Sequence, residues 1–359
     1  MALPLELIFI LDLLAFYAFY LILSVSLNLE FGYAGIPNFG KVLSFMAGAF
    51  VVGALPGRLT AWLAGLQGDW IADNPALVTD GTRWLQQHVA EGFGIFFLTV
   101  AVAMAVGAGV GYISAIPAIR LREDYLAITL LAFGEGGRVI GINVPPIVGG
   151  TLGVGVPDPL GWIPSGLRFP VASIAVFGFA LIVYAFAERF IRSPLGRMLR
   201  AIRDSEPAAA SVGKDITRTR LKIFLVGSVL GALGGALFGF YQGSVHPFGF
   251  TRTEWTFWPW VMVLLGGAAN NVGVAAGTMV FVAGRKLTSF YKGALQPIVP
   301  FNIIWLDLIL LGGVLLAVLL LRPRGVLPEK PTPTVPVKRL IARMEAAPPP
   351  PATDAQKAR

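Results

Sequence analysis

Long apolar segments that carry almost no charge constrain this chain more than any other feature. A membrane-spanning helix needs about 20 mainly apolar residues. Five segments meet that requirement directly: Ile8–Leu29, Phe93–Ile116, Pro170–Ile191, Leu221–Gly243 and Asn302–Leu321. Four shorter or more glycine-rich segments are further candidates: Phe39–Leu55, Asp124–Ile140, Trp255–Ala268 and Val272–Leu287. The pattern predicts an all-α polytopic membrane protein with about 8–10 transmembrane helices.

Composition argues against several other classes of protein. Charged residues make up 13% of the chain, whereas a soluble domain carries about 25%. There is no cysteine, and the two histidines, His88 and His246, lie far apart. We therefore expect no metal centre and no directly bound cofactor. The net charge of +8 would suit nucleic acid, but the basic residues gather in short connections between apolar segments, so we expect lipid and no nucleic acid as the surroundings.

The distribution of charge orients the predicted helices. Residues 192–222 hold eight basic and three acidic side chains, a net charge of +5. The positive-inside rule places this connection in the cytoplasm, with the N-terminus outside and the C-terminus inside, and predicts about nine crossings by the length criterion. The resulting transmembrane domain, 1–322, contains a cytoplasmic loop at 192–220. Arg285, Lys286 and Lys292 disagree, because they fall outside.

Three boundaries follow from this orientation. The first apolar segment exceeds the length of a cleavable signal's apolar region, so we expect it to remain as a membrane helix. Residues 56–92 form an external insertion, in which Trp62, Trp70 and Trp84 suggest interfacial aromatic anchors. The proline-rich segment 323–359 is a largely disordered cytoplasmic tail.

The loop at 192–220 has the pattern of two short helices separated by a break. Apolar residues recur at helical spacing in its first half, and Pro207 disfavours helical geometry at the residue before it. A second helix rich in alanine then ends at Gly213, which suits a left-handed cap. The residues alone leave two interpretations open: a solvated basic loop, or an element that docks on a partner.

Glycines recur at every fourth position of the predicted helix 221–243. They are Gly227, Gly231, Gly235, Gly239 and Gly243. This spacing places them on one ridge and allows another backbone to approach closely. Tight packing is the simpler interpretation, and a ridge that slides or lines a pathway is the alternative.

Polar residues within predicted spans are candidates for a translocation path, because each is costly in a membrane. Glu135 and Arg138 are three residues apart, and they either neutralise each other or line a path for a zwitterionic solute. Asn28 and Tyr33 lie where the first helix meets the cytoplasm, and packing is their simpler role. Thr151 belongs to a glycine-rich external loop that either turns the chain or offers amides to a carboxylate.

Five motifs are distributed along the chain: LNLEFGYAG at Leu27–Gly35, RLREDYLAITLLAFGE at Arg120–Glu135, GRMLRAIRDSE at Gly196–Glu206, LLGG at Leu264–Gly267 and RPRG at Arg322–Gly325. Together they resemble the motifs of the branched-chain amino acid ABC importer permeases, the LivM/LivH-like family. The resemblance spans about residues 24–327 and departs from the family at Pro37–Lys41 and in the 56–92 insertion.

The resemblance implies a non-catalytic permease subunit in the cytoplasmic membrane of a prokaryote. It implies a second, LivH-like permease, two ATPase subunits and an external solute-binding protein as partners. The chain has no G-x-x-x-x-G-K-[ST] motif, so ATP and Mg would be bound by the ATPases. The resemblance also makes the loop at 192–220 the ATPase-coupling element, with these residues: Gly196, Arg197, Arg200, Ala201, Ile202, Arg203, Asp204, Glu206, Ala209 and Gly213.

Other functions stay open at the level of sequence. The solute is a branched-chain amino acid, another amino acid, urea or a short amide. An ion-driven carrier acting alone would need mid-span ion-site carboxylates and internal symmetry, and neither is evident in the sequence. An intramembrane enzyme would need a metal cluster or a nucleophile–base pair, which the sequence does not suggest.

Overall fold

The computed structural model of this chain describes residues 4–121, 123–292, 304–322 and 325–329. These residues belong to one unit that ends at Pro328, apart from Glu329, which belongs to the segment that follows. The predicted proline-rich tail at 323–359 therefore lies almost entirely outside the described residues.

The first third of the chain folds into long helices joined by short turns. Helix α1 covers Leu5–Asn28 and continues as a π-helical turn over Leu29–Tyr33. It is followed by α2 (Lys41–Ala54), α3 (Pro56–Ala64), α4 (Asn74–Gln87) and α5 (Val89–Arg120). Pro56 is the first residue of α3. Proline is favoured at this position because the N–H of the first helical residue makes no hydrogen bond within the helix, so its absence costs nothing.

The middle of the chain contains the basic connection between two long helices. Its elements are α6 (Glu123–Asn143), α7 (Pro145–Val148), β1 (Val154–Gly155), α8 (Ser165–Arg192), α9 (Pro194–Asp204), α10 (Glu206–Ser211), α11 (Ile216–Gln242) and β2 (Ser244–Val245). The two short strands pair antiparallel, with Val154 opposite Val245.

The last third begins with a broken helix. A π-helical turn at Thr253–Phe257 leads into α12 (Trp258–Gly266), and α13 (Asn271–Phe290) and α14 (Ile304–Leu321) follow. Segments Thr253–Gly266 and Asn271–Phe290 meet at an angle of 120°. The chain reverses there because Gly267 and Ala269 adopt positive φ and Asn270 caps α13 by accepting a hydrogen bond from the Gly273 N–H.

The all-α polytopic class is confirmed. Within the described ranges, six helices are long and apolar enough to cross a membrane, or up to seven if the bent pair counts as one span. The six are Leu5–Tyr33, Lys41–Ala64, Val89–Arg120, Asp124–Asn143, Ser165–Arg192 and Ile216–Gln242. The two crossings predicted at Trp255–Ala268 and Val272–Leu287 correspond to the bent pair, and α14 corresponds to the predicted last span.

Two of the three cations that disagreed with the predicted orientation are placed differently from what the sequence suggested. Arg285 and Lys286 lie on α13 and not in a loop, and each is paired with a carboxylate from another segment. Arg285 pairs with Glu254, and Lys286 pairs with Asp12. These cations therefore do not act as free loop charges, and the positive-inside rule does not apply to them.

The insertion at 56–92 packs onto the bundle as α3 and α4. Trp70 is buried, and its indole N–H donates to the Gly53 carbonyl, so the prediction that Trp70 is an interfacial anchor is wrong. Asn74 accepts a hydrogen bond from the Gly155 N–H at 2.7 Å. The insertion is thereby tied to the β1–β2 ribbon.

Helix α11 lies at the centre of the bundle and packs against α2 through its glycines. A Cβ at Gly235 would overlap the Phe45 carbonyl oxygen of α2, and a Cβ at Gly231 would overlap the Ser44 hydroxyl. Gly227 faces the Glu30 carboxylate, and Gly239 faces Val52. Since these glycines have no side chain, the two backbones approach to within van der Waals contact.

Gly243 departs from the predicted ridge. It is the left-handed C-cap of α11, with φ of +64°, and a Cβ there would meet nothing within 4 Å. The four-residue spacing continued past the end of the helix, so this position terminates α11 and does not pack.

We predict that Gly235→Ala destabilises the protein by about 1–3 kcal/mol, because the added methyl group overpacks the contact with α2. The measurement is the thermal unfolding midpoint of the purified chain in detergent. Gly178→Ala in α8 is the matched control, since a Cβ there meets nothing within 4 Å. Equal midpoints for both variants would contradict the close approach.

Candidate functional site

The connection between α8 and α11 folds as the predicted helix–break–helix unit, which we call the elbow (residues 194–213). Ser193 caps α9 by accepting from the Gly196 N–H, and Ser205 caps α10 by accepting from the Ala208 N–H. Pro207 lies in the first turn of α10, and Gly213 ends the unit with φ of +74°. We call the end of the bundle that carries the elbow the elbow end, and the opposite end the far end.

One face of the elbow is buried against the chain itself. Gly196, Leu199, Ile202 and Ala209 are buried, and a Cβ at Gly196 would overlap the Ile191 backbone. Gly196, Ile202 and Ala209 were predicted to act in coupling to an ATPase. In this structure they lie on the buried face and help to hold the elbow in place, and their part in coupling stays a prediction.

Two arginines fasten the elbow to the turn that ends α1. The Arg203 guanidinium donates to the Gly32 carbonyl at 2.7 Å, and the Arg200 guanidinium lies 5.1 Å from the centre of the Tyr33 ring. Gly35 has φ of +71°, and a Cβ there would press on the Arg203 side chain. Movement of the elbow is therefore coupled by direct contacts to residues 29–36.

The other face of the elbow is exposed in this chain. Arg197, Ala201, Asp204, Glu206 and Gly213 are all exposed. Beside them Val212 is 70% exposed, as an apolar side chain next to the alanines of α10. Asp204 pairs with Arg203, and Glu206 pairs with Arg220. An exposed surface of small and apolar residues with a basic margin is suited to contact with another protein.

A fully buried ion pair lies directly beside the turn that the elbow contacts. The Lys41 ammonium donates to both oxygens of Glu30 at 3.0 Å and to the Gly227 carbonyl at 3.0 Å. The Asn38 amide donates to Glu30 at 2.9 Å, and both charged side chains are 0% exposed. The pair joins the turn that continues α1 to α2 and α11. The buried ammonium and both carboxylate oxygens have hydrogen-bond partners, as a buried ion pair requires.

This ion pair was not predicted from the sequence. Glu30 lies inside the motif at Leu27–Gly35, and Lys41 is the first basic residue of the chain. The available signal for this pair in the sequence was an acidic and a basic residue that flank one turn within apolar surroundings. The departure from the family pattern at Pro37–Lys41 therefore contains a structural residue.

Asn28 also belongs to the elbow end, and its side chain makes hydrogen bonds to α13 and to the turn before it. Its side-chain oxygen accepts from the Ala269 N–H at 2.9 Å, and its amide donates to Asn271 at 2.9 Å. Asn271 in turn donates to Glu188 of α8 at 3.1 Å. Asn28 thus fixes the turn between α12 and α13 against α1, which supports its simpler, packing role.

Two motifs that are distant in sequence meet at this turn. A Cβ at Gly325 would overlap Gly267, and the N–H groups of Val326 and Leu327 donate to the carbonyls of Leu265 and Gly266. The segment that follows α14 therefore pairs with the end of α12. Neither segment alone satisfies these backbone groups.

The remaining candidates for a translocation path lie apart from the elbow. Glu135 and Arg138 bond to each other on α6, with the Arg138 Nε 3.0 Å from the carboxylate. Thr151 is exposed on a turn that contains three glycines of positive φ. The structure does not bring Asn28, Glu135 and Thr151 together into one site.

A larger and a smaller cavity lie between helices in the described part of the chain. The larger, about 450 Å³, is bounded by α5, α8 and α11 and is lined mainly by apolar side chains, six of them phenylalanines. Its two charged lining residues, Arg168 and Asp158, pair with each other. The smaller, about 240 Å³, lies between α1, the turn before α12, and α13, and several charged groups line it. The smaller cavity has the chemistry to recognise a polar solute. Among the described residues, no three His, Cys, Asp or Glu side chains converge to hold a metal ion.

Comparison with known proteins finds relatives among import permeases. Residues 9–319 match the family described as the permease component of the branched-chain amino acid transport system. The probable branched-chain amino acid transport permease LivM of Methanocaldococcus jannaschii is 39% identical over 331 residues, which are 92% of this chain and 96% of that protein.

More distant relatives come from enteric bacteria. The high-affinity LivM permease of Salmonella typhimurium is 30% identical over 261 residues, covering 66% of this chain and 58% of that protein. The LivH permease of the same organism is 24% identical over 325 residues, covering 86% of this chain and 91% of that protein. No solved structure matches.

We predict that Lys41→Met destabilises the protein by about 3–5 kcal/mol, because it leaves the Glu30 carboxylate buried and uncompensated. The double variant Glu30→Gln with Lys41→Met should recover most of the loss, since no charge is then left unpaired. Unfolding midpoints of the purified chain measure both effects.

The control for this test is Arg83→Ala, which breaks the surface pair between Arg83 and Asp80. Both of those side chains are more than half exposed, so little change is expected. A double variant as unstable as Lys41→Met would show that the unpaired Glu30 carboxylate is not the cause of the loss, contrary to the prediction.

Proposed function

Because this chain belongs to the family of branched-chain amino acid transport permeases, we propose that it is the permease subunit of an ATP-driven importer. It would carry branched-chain or similar amino acids across the cytoplasmic membrane of a prokaryote. The six spans and the bent pair make it a multi-pass membrane protein, and the family match covers nearly all of them.

The proposed assembly contains several other chains. A second, LivH-like permease would complete the path through the membrane, and an external solute-binding protein would deliver the amino acid. Two ATPase subunits would bind ATP and Mg and hydrolyse the nucleotide, since this chain lacks a phosphate-binding loop motif. The permease itself would carry no catalytic residue.

One observation supports the elbow as the point where force enters. Its exposed face includes Val212 at 70% exposure, while its other face is anchored through Arg203 to the Gly32 carbonyl. Because the elbow is exposed on one face and anchored on the other, a force applied by a docked partner would be transmitted to residues 29–36. The buried pair of Glu30 and Lys41 connects those residues to α2 and α11.

The proposed mechanism is alternating access driven by the ATPases. Closure of the two ATPases on ATP would move the two elbows of a permease pair relative to each other. Since the turn at 29–36 is continuous with α1, the displacement would reach the spanning helices. These helices would then open the path toward one side of the membrane at a time.

We predict that deletion of the gene abolishes energy-dependent uptake of labelled leucine, isoleucine and valine by the host organism, and that a plasmid copy restores it. The family to which the chain belongs is the reason for this expectation. Labelled urea and acetamide serve as the comparison. Loss of urea or amide uptake alone would reject the amino acid assignment and favour the alternative solutes.

We predict that Ala208→Glu with Val212→Asp abolishes co-purification of the ATPase subunits and lowers leucine uptake by about tenfold or more, since charges replace an apolar contact. Both residues are exposed, so folding should be unaffected.

Leu152→Asp is the matched control for the elbow variant, since Leu152 is an apolar residue that is 83% exposed at the far end. It should retain the ATPases. Undiminished co-purification and uptake in the elbow variant would remove the elbow from the coupling mechanism.

A further inference from the structure

The smaller cavity carries charges of both signs within a largely apolar wall. The Arg285 guanidinium lies 3.0 Å from Glu254, and the Lys286 ammonium lies 2.6 Å from Asp12. Arg285, Lys286 and Glu254 line the cavity directly. Two positive and two negative groups sum to no net charge, so the surroundings favour a solute that is itself neutral overall but charged at both ends.

These ion pairs differ from the structural pair at the elbow end. Glu30 and Lys41 are 0% exposed and fully satisfied. Arg285 and Glu254 are 27% and 35% exposed, and Lys286 and Asp12 are 22% and 33% exposed. Since the four side chains of these two pairs are partly exposed, their hydrogen-bonding groups are accessible to a solute.

Aromatic rings hold the two cations in fixed positions. The Arg285 guanidinium lies 3.1 Å from the centre of a Trp258 ring, and the Lys286 ammonium lies 3.4 Å from the centre of the Phe16 ring. Arg285 also donates to the Tyr20 hydroxyl at 3.3 Å. Groups that are already oriented lose little freedom when they bind a ligand.

The rest of the wall combines apolar side chains with two hydroxyl groups. Phe16, Met262, Phe281 and Val282 supply the apolar surface, and Tyr20 and Ser289 supply the hydroxyls. The volume of about 240 Å³ is below the range of about 300–1,000 Å³ that drug-sized ligands occupy. The space therefore suits a small solute with one aliphatic group.

We propose that this cavity is a solute-binding site within the permease for a small α-amino acid with an aliphatic side chain. The carboxylate would bind Arg285 and Lys286, the ammonium would bind Glu254, and the side chain would contact Phe281 and Met262. This inference rests on the proposed function and locates its solute, whereas Glu135 and Arg138 line neither cavity.

The test is photo-crosslinking of the full chain in host membranes with an L-leucine analogue that carries a diazirine on its side chain. We expect labelled peptides that contain Met262, Phe281 or Val282, and competition by excess L-leucine. Arg285→Gln and Glu254→Gln should each reduce labelling by about tenfold, the loss expected for a hydrogen bond to a charged group. Arg83→Gln should leave labelling unchanged.

A charge swap separates recognition from a merely structural pair. Glu254→Arg with Arg285→Glu keeps opposite charges together, so the thermal unfolding midpoint should remain near that of the wild type. Labelling should stay lost, because the two ends of the solute would then face like charges. Full labelling in the swapped variant, or labelling only at peptides around Arg138 or in the larger cavity, would overturn the site.

Uptake by the gene-deletion strain distinguishes the proposed solute site from the proposed importer function. If uptake depends on the gene but the cavity is not labelled, the proposed site is wrong and the proposed function stands. If the cavity is labelled and competed by leucine while uptake does not depend on the gene, the site stands and the importer assignment is wrong.

Discussion

The close approach of α11 to α2 and α5 is the constraint on which the rest of the structure depends. At Gly235 the α11 backbone leaves no space for a side chain against the Phe45 carbonyl, and at Gly107 and Gly111 the α5 backbone also lies close to α11. Within a membrane, burying an apolar side chain against another helix gains little free energy, because the lipid tails are equally apolar. Close packing of this kind is therefore the main source of helix association. The bundle can hold buried polar groups only because these three helices are fixed relative to one another.

The buried pair of Glu30 and Lys41 illustrates this dependence. A Cβ at Gly227 would overlap the Glu30 carboxylate, and the Gly227 carbonyl accepts from Lys41. A larger residue at position 227 would therefore remove the space for the pair. Taking two charges out of water costs several kcal/mol for each ion, which only good geometry offsets. The glycine on α11 provides that geometry, and the pair then fixes the turn on which the elbow rests.

Periodicity and composition predicted much of the fold. The apolar segments became spanning helices, and Pro207 and Gly213 marked the break and the end of the elbow as expected. These features are local, because each depends on residues close in sequence. The recurrence of Gly243 was misleading, since a four-residue interval does not show where a helix stops.

The parts that the sequence did not reveal depend on contacts between distant residues. Arg285 and Glu254 are 31 positions apart, and Lys286 and Asp12 are 274 apart. Only the reversal of the chain after α12 brings these groups together around one cavity. Glu135 and Arg138 were the better candidates by sequence because they are three residues apart on one helix. For the same reason they satisfy each other without help from the fold.

Helices α1 and α13 connect the elbow end to the smaller cavity. At the elbow end, Asn28 of α1 bonds to Asn271 of α13, and toward the far end Asp12 of α1 pairs with Lys286 of α13. The 16 residues between Asp12 and Asn28 span about 24 Å of helix. Two stiff elements that are joined at both ends either move together or break one of the joints. A displacement of the turn at 29–36 by the elbow therefore either carries the wall of the cavity with it or separates Asp12 from Lys286. The second outcome leaves the Lys286 ammonium at the cavity without its carboxylate partner.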